Sequence, residues 1–366
     1  MTIRRAATLL VSGMTLAGVA RAQVRERIPD AVSCARCTIT SKALTTMRPP
    51  DDVVADRPQL VSTDHAGRYW MFFEQELPAV YDPTGTFLKS VGRKGSGPGE
   101  YQFPWPMARA GDSVVIFDAP NARATVVDST LTPRRFIAIP WQVTHAVVVA
   151  WPTSVVASAL TDQRAAAPEP LQLLSLAGAE ARVTRAFGSR VAPPGGFPMF
   201  SAQHKAALSV GGRVWTAWTQ GYDFAEWTSD GTLVRAFQRR PSWFLSEKPS
   251  GLGSPTRPPD SFLMGIERDA NGLLWVFLRT PKETWKEGWP AMRPGQMEVS
   301  SRAIDYGKLY ATTIEIIDPD AGRVVARQVI DRLIISAMPG RRVAFFSRDA
   351  DELGRIDVME FTLSGR

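Results

Sequence analysis

The chain has 366 residues, 44% of them hydrophobic, with a formal net charge of +7. That apolar share is ordinary for a globular protein. The positive surplus, thinly spread over such a length, excludes a nucleic-acid-binding footprint.

The first residues read as an export signal. Arg4 and Arg5 give a basic start, Ala7 to Ala20 is apolar but too short to span a bilayer comfortably, and Ala20-Arg21-Ala22 offers a small-x-small cleavage site before Gln23. Removing residues 1–22 takes away Arg4, Arg5 and Arg21 and no acid, so the +7 charge falls to +4. The Arg4-Arg5 pair would also suit twin-arginine export, but Ala-Ala-Thr follows it. No cysteine follows the cleavage site to take a lipid anchor, and no later apolar run is long enough for a transmembrane segment. A periplasmic or extracellular protein is expected.

Residues 23–57 form an N-terminal arm. Its only cysteines are Cys34 and Cys37. A haem attachment would need His at position 38, where Thr38 stands, and a zinc site would need a second ligand pair. The bland expectation is a local disulfide or two thiols, with a redox or metal role as the alternative. Thr38 to Met47 has β-type residues and is expected to supply a strand to the last blade, closing the ring; a loose arm is the alternative.

From residue 58 onward a unit recurs. A glycine turn leads into an aromatic or β-branched strand, then an aspartate-centred turn and another apolar strand. The clearest copy runs from His65-Ala66-Gly67-Arg68-Tyr69-Trp70 to Tyr81-Asp82-Pro83-Thr84-Gly85. Aligned on the strand that follows the first turn, the anchors are Trp70, Val115, Val155, Trp215, Trp275 and Ala344, of which Trp70, Trp215 and Trp275 stand three residues after a turn glycine. An apolar run precedes each anchor, and two strands joined by a tight turn follow it. Asp suits such turns by bonding its own backbone, and Gly by tolerating positive φ. The 28 glycines and 28 prolines punctuate the chain throughout and leave little helix periodicity. Short strands repeating at this length predict an all-β chain, a six-bladed β-propeller of four-stranded antiparallel blades over residues 58–366.

The most specific string is Gly92-Arg93-Lys94-Gly95-Ser96-Gly97-Pro98-Gly99-Glu100-Tyr101-Gln102-Phe103-Pro104. It resembles the blade linker of NHL-like six-bladed propellers, and Cys34-x-x-Cys37 after a signal peptide is similar to the start of exported bacterial members. Gly188, Gln238 and Asp331 stand where later linkers should repeat the glycines. The resemblance implies a propeller but no single function, because such families include binding scaffolds, partner-holding domains, lactonases and lyases. Phosphate cradling by the glycine run is not expected, since Pro98, Phe103, Pro104 and Pro106 oppose the helix that such a loop requires.

In a propeller the A–B and C–D turns share one face, while the B–C loops and D–A linkers share the other. Here the first set is short. The long segments Gly92–Pro106, Ala159–Leu171, Gly188–His204, Arg239–Ser261 and Arg279–Tyr310 all belong to the second, where function tends to collect. Trp285 and Trp289 on the last of these are either a lid or partner anchor or packed against a neighbouring blade. Trp105, His145, His204 and Lys205 are expected to ring the channel mouth, as a pocket for a small or anionic ligand or as structural residues. The equivalent positions Leu60, Gly265 and Ile334 supply no ligand, so no metal and no cofactor is assigned. No nucleophile elbow is present.

The expected function is that of an exported, monomeric binding scaffold that recognises an unidentified small ligand or protein through its long-loop face. The alternative is a lactonase- or lyase-type enzyme using His145 and His204, with or without a divalent metal.

Overall fold

The computed structural model describes residues 26–51, 53, 57–160, 169–188, 204–208, 211–219, 221–245, 256–290, 303–348 and 353–365. The expected leader and its cleavage site lie outside them, as does most of the Gly188–His204 linker.

The chain begins with β1 (Glu26–Arg27) and β2 (Thr38–Met47). Blade one follows as β3 (Leu60–Thr63), β4 (Tyr69–Phe72), β5 (Ala79–Tyr81) and β6 (Phe87–Ser90). The next linker carries two short strands, β7 (Arg93–Lys94) and β8 (Glu100–Tyr101). Blade two is β9 (Pro104–Ala110), β10 (Ser113–Asp118), β11 (Arg123–Val127) and β12 (Pro133–Ala138). Blade three is β13 (Gln142–Ala150), β14 (Ser154–Leu160), β15 (Leu171–Ser175) and β16 (Arg182–Phe187). Blade four is β17 (His204–Leu208), β18 (Val214–Trp218), β19 (Asp223–Trp227) and β20 (Leu233–Gln238). Blade five is β21 (Phe262–Arg268), β22 (Leu274–Pro281), β23 (Tyr310–Asp318) and β24 (Arg323–Ile330). Blade six is β25 (Leu333–Met338), β26 (Arg342–Arg348) and β27 (Gly354–Ser364), with β2 as its outer strand.

These are six four-stranded antiparallel blades. The first strands β3, β9, β13, β17, β21 and β25 pack side by side around the ring. Closure comes from β2, which pairs antiparallel with β27 from Thr38 opposite Ser364 to Met47 opposite Ile356. Before reaching that position, the N-terminal segment runs along the outer edges of two other blades. β1 adds a fifth, parallel strand to β20, and Val32 bridges Val324 on β24. Cys34 and Cys37 are disulfide-bonded in the turn between this belt and β2.

The anchors sit where one blade presses on the next. β4 is buried along its whole length, and Trp70, Trp215 and Trp275 are fully buried. Two of these tryptophans share a device. Asp64 accepts from the backbone N–H of Ala66 and Arg68 and from Trp70 Nε1 at 3.0 Å; Asp269 does the same for Asn271, Leu273 and Trp275 Nε1 at 3.0 Å. One carboxylate thus closes the turn and satisfies the buried indole donor six residues on.

The short-turn face is tied together by arginines on outer strands. Arg135 donates to the carbonyls of Leu176 and Gly178, Arg185 to the carbonyl of Asp230, and Arg235 pairs with Asp320 at 2.7 Å. Each reaches the C–D turn of the following blade. At the belt, fully buried Arg239 pairs at 2.7 Å with fully buried Glu315, which also accepts from Arg327 and Tyr222; Arg239 also bonds Asp30.

Candidate functional site

The D–A linker after blade one is locked in place. Gly92 has φ +89, and a Cβ there would run into the Tyr101 ring. Buried Asp118 accepts from the backbone N–H of Gln102 and Phe103 at 3.0 Å, and Glu100 accepts from Gly97 N–H at 2.7 Å. The glycine-rich string therefore folds into a tight loop with the β7–β8 pair and no helix, which is a structural use of its glycines. Trp105 at the head of β9 packs against the cluster between blades one and two.

The blade-five B–C loop crosses the junction between the last blade and the first. Its described parts are residues 282–290 and 303–309. Trp285, 7% exposed, lies with Ile304, Leu309 and Tyr310 in one cluster with Tyr69, Met71 and Phe73 of blade one and Leu333 and Ile335 of blade six. Trp285–Gly288 forms a 3-10 turn. The half-buried Trp289 packs against the same cluster, together with Tyr306 and Phe262. The two limbs meet closely. Asp305 N–H donates to Gly288 O at 2.9 Å, and a Cβ on Gly288 would stand 2.7 Å from Asp305 O and 2.8 Å from Leu309 Cγ. Asp305 caps the helical turn Tyr306–Leu309 by accepting from Gly307 and Lys308 N–H. The loop is thus a strap packed over the ring's closing junction, with Trp285 as its buried anchor and Trp289 nearer its surface.

Beside the strap the channel's long-loop end is basic. Arg279, the sixth residue of β22, pairs in register with Phe262 at the head of β21. Its Nη2 donates to Ile334 O on blade six at 2.6 Å, and its guanidinium lies 5.6 Å from the Tyr310 ring. Arg57 stacks at 4.1 Å over Tyr306. Lys205, second in β17, is half-buried; burial first, and then the charge of Arg279, pull its ammonium down to about 8. Burial and Arg57 likewise pull Arg279 down, and burial pushes the Tyr310 hydroxyl well above its usual range. Asp260 also faces Tyr310 and pairs with Arg257 at 3.8 Å. Among the described residues, no carboxylate forms an ion pair with Lys205 or Arg279. Arg279 Nε, the Tyr310 hydroxyl and Trp289 Nε1 are buried without a hydrogen-bond partner among the described residues.

The expected channel-mouth residues Trp105, His145, His204 and Lys205 and the two loop tryptophans therefore divide. Lys205 and Trp289 belong to this end, one beside Arg279 and the other in the Tyr306–Tyr310 cluster. His204 pairs with Trp218 at the head of β17; His145 lies three residues inside β13, opposite Ser158 and next to a bulge. Trp105 and Trp285 are placed in interblade packing. Arg279, Arg57, Tyr306 and Tyr310 were not singled out by sequence. Among the described residues, no three His, Cys, Asp or Glu side chains converge in a manner suited to a metal.

No family model matches the chain, and no curated protein matches it. Solved structures do resemble it. A member of the DUF4221 family from Bacteroides vulgatus superposes with a TM-score of 0.63 at 10% identity, covering 90% of this chain and 99% of that one. A Bacteroides fragilis protein described as a candidate for export superposes with a TM-score of 0.56 at 9% identity, covering 92% and 99%. At these identities the likeness speaks for the propeller fold alone. No described helix is long and apolar enough to cross a membrane.

Proposed function

We propose that this protein is an exported binding scaffold of NHL-like type. It acts outside the cytoplasm after loss of residues 1–22, and it recognises its ligand through the long-loop face of the propeller. The export signal and the Gly92–Pro104 linker support the first two parts. The observation that carries the third is the division of labour between the two faces. The short-turn face is occupied by blade-to-blade arginine contacts from Arg135, Arg185 and Arg235. By the strand order, the opposite face is the one from which the long B–C loops and D–A linkers leave the blades, and among the described residues it also carries the basic channel end. A rigid ring with elaborated loops at one end is a common way to hold a binding surface.

The test is hydrogen exchange of the mature chain in the presence and absence of a native extract, split into small-molecule and macromolecular fractions. Protection of residues 239–261 and 279–310 by one fraction is the expected result. Protection confined to the short turns, such as 82–86 and 128–132, would overturn the assignment of the face.

A further inference from the structure

We propose that Lys205, Arg279 and Arg57 form a binding site for a small oxyanion-bearing molecule, a carboxylate or phosphate, at the long-loop end of the central channel. The inference rests on the reading of that face as the binding face, and adds the chemical class of the ligand.

Three observations converge on it. The first is charge without counter-charge. β17, with Lys205 near its head, packs on β21, whose first residue Phe262 pairs with Arg279; the half-buried Lys205 ammonium and the Arg279 guanidinium, its Nε buried, repel each other, and Arg57 adds to the field on Arg279. Among the described residues, Asp260 is the acidic group that faces the cluster, and it has Arg257 beside it. Buried charges in folded proteins are ordinarily paired, so an uncompensated pair of cations marks a place where an anion completes the structure.

The second is the sign of the unsatisfied polar atoms. Arg279 Nε and Trp289 Nε1 can only donate, and the Tyr310 hydroxyl can donate as well. A ligand rich in acceptor oxygens satisfies all three groups; a cationic or purely donating ligand leaves Arg279 Nε and Trp289 Nε1 unsatisfied. The third is preorganisation. Arg279 is fixed by its bond to Ile334 O and by the Tyr310 ring, and Arg57 by stacking on Tyr306. Guanidinium groups held this way lose little freedom when they bind, and their planar forks suit carboxylate and phosphate oxygens. The cluster draws on blades four and five, the strap and the segment before blade one, so only the closed ring assembles it.

Isothermal titration calorimetry of the mature full chain with sulfate, citrate and glycerol tests the proposal. Sulfate stands for the tetrahedral phosphate source, citrate for the carboxylate source, and glycerol for a neutral polyol. The wild type is expected to bind at least one of the two anions and not glycerol. Lys205→Met and Arg279→Gln should each weaken that anion about 10- to 100-fold, the effect of losing a charge-assisted hydrogen bond. Thermal melts establish that each variant is folded; should Arg279→Gln fail to fold, Lys205→Met alone carries the comparison. Binding of neither anion by the wild type overturns the proposal. So does anion binding that Lys205→Met leaves unchanged, which would mean an adventitious ion only. If the anions fail while extract still protects residues 279–310, the ligand class is wrong and the assignment of the face stands.

Discussion

Lys205 makes a demanding prediction because its position should be unfavourable to the empty protein and favourable to the filled one. Its ammonium falls from the ordinary 10.5 to about 8, through burial and then Arg279. At ~1.36 kcal/mol per pH unit, that shift corresponds to at most about 3 kcal/mol, and partial solvent screening trims it to roughly 1–2 kcal/mol. The folded pKa lies below the unfolded one. Below pH 8 both states hold the proton and the penalty is full; from pH 8 to 10.5 the unfolded chain holds a proton that the folded chain lacks, so stability rises with pH. Lys205→Met should therefore stabilise the ligand-free protein at pH 7, and the gain should shrink from pH 8 upward and be gone by about pH 10.5. Binding should respond in the opposite sense. A lysine titrating near 8 is about nine-tenths charged at pH 7 and about one-tenth charged at pH 9, so sulfate affinity should fall about tenfold across that interval. Among the described residues, the other groups facing the site are Arg279, Arg57, Tyr306, Tyr310 and Asp260 with Arg257. Arg279, drawn down to about 10 by burial and Arg57, keeps most of its charge up to pH 9, and the Tyr310 hydroxyl is pushed out of that interval. Lys205→Arg should keep binding and flatten its pH profile. Denaturant melts and calorimetry from pH 6.5 to 10 measure both effects. Destabilisation by Lys205→Met at pH 7, or sulfate binding that is flat with pH in the wild type, would refute the reasoning.

Other substitutions probe the frame that holds the site. Gly288→Ala places a methyl group against Asp305 O and the Leu309 side chain and should lower stability by about 1–3 kcal/mol in denaturant melts, with sulfate binding weakened as the strap shifts. Asp269→Ala strips the buried Trp275 indole and the turn amides of their acceptor, and should lower stability by about 2–4 kcal/mol by the same measurement while leaving binding at the far face intact. Arg239→Met leaves Glu315 buried with Arg327 as its remaining cation, and a loss of about 2–4 kcal/mol is expected in melts at pH 7. Cys34→Ser opens a very short loop, so the chain-entropy estimate limits the loss to about 2 kcal/mol, a few degrees in Tm.

The blade plan was legible because burial between stacked sheets leaves a clear trace. Trp70, Trp215 and Trp275 stand at the same place in their units, and each is fully buried. Their partners were harder to read. Asp64 and Asp269 look like ordinary turn aspartates, and only the fold brings their second oxygen to an indole six residues away. Arg135, Arg185 and Arg235 look like solvated charges on outer strands, since the turns they grip lie about 40 to 85 residues further along the chain. Thr38–Met47 reads as a ring-closing strand from its β-type residues, with a loose arm as the alternative because an outer strand needs little hydrophobic alternation; it pairs with β27.

At the site, Lys205 stood out through its place at the head of a first strand. Arg279 did not. It ends the apolar run Leu274–Leu278 and looks like a charge leaving the core, whereas its register opposite Phe262 turns it across to blade six. Tyr306 and Tyr310 lie on the returning limb of a long loop, and sequence gives no indication of which blade that limb meets. A signal was available in retrospect. Two tyrosines four apart at the end of an otherwise polar loop are a one-sided aromatic pair of the kind that packs down on a strand.

The most direct measurement is an anomalous-scattering map from crystals grown in selenate, which has the shape and charge of sulfate. A selenium peak is expected at the long-loop end of the channel, within hydrogen-bonding reach of Lys205 Nζ and the Arg279 guanidinium. Peaks found only at exposed surface arginines, with that end of the channel empty, would contradict it.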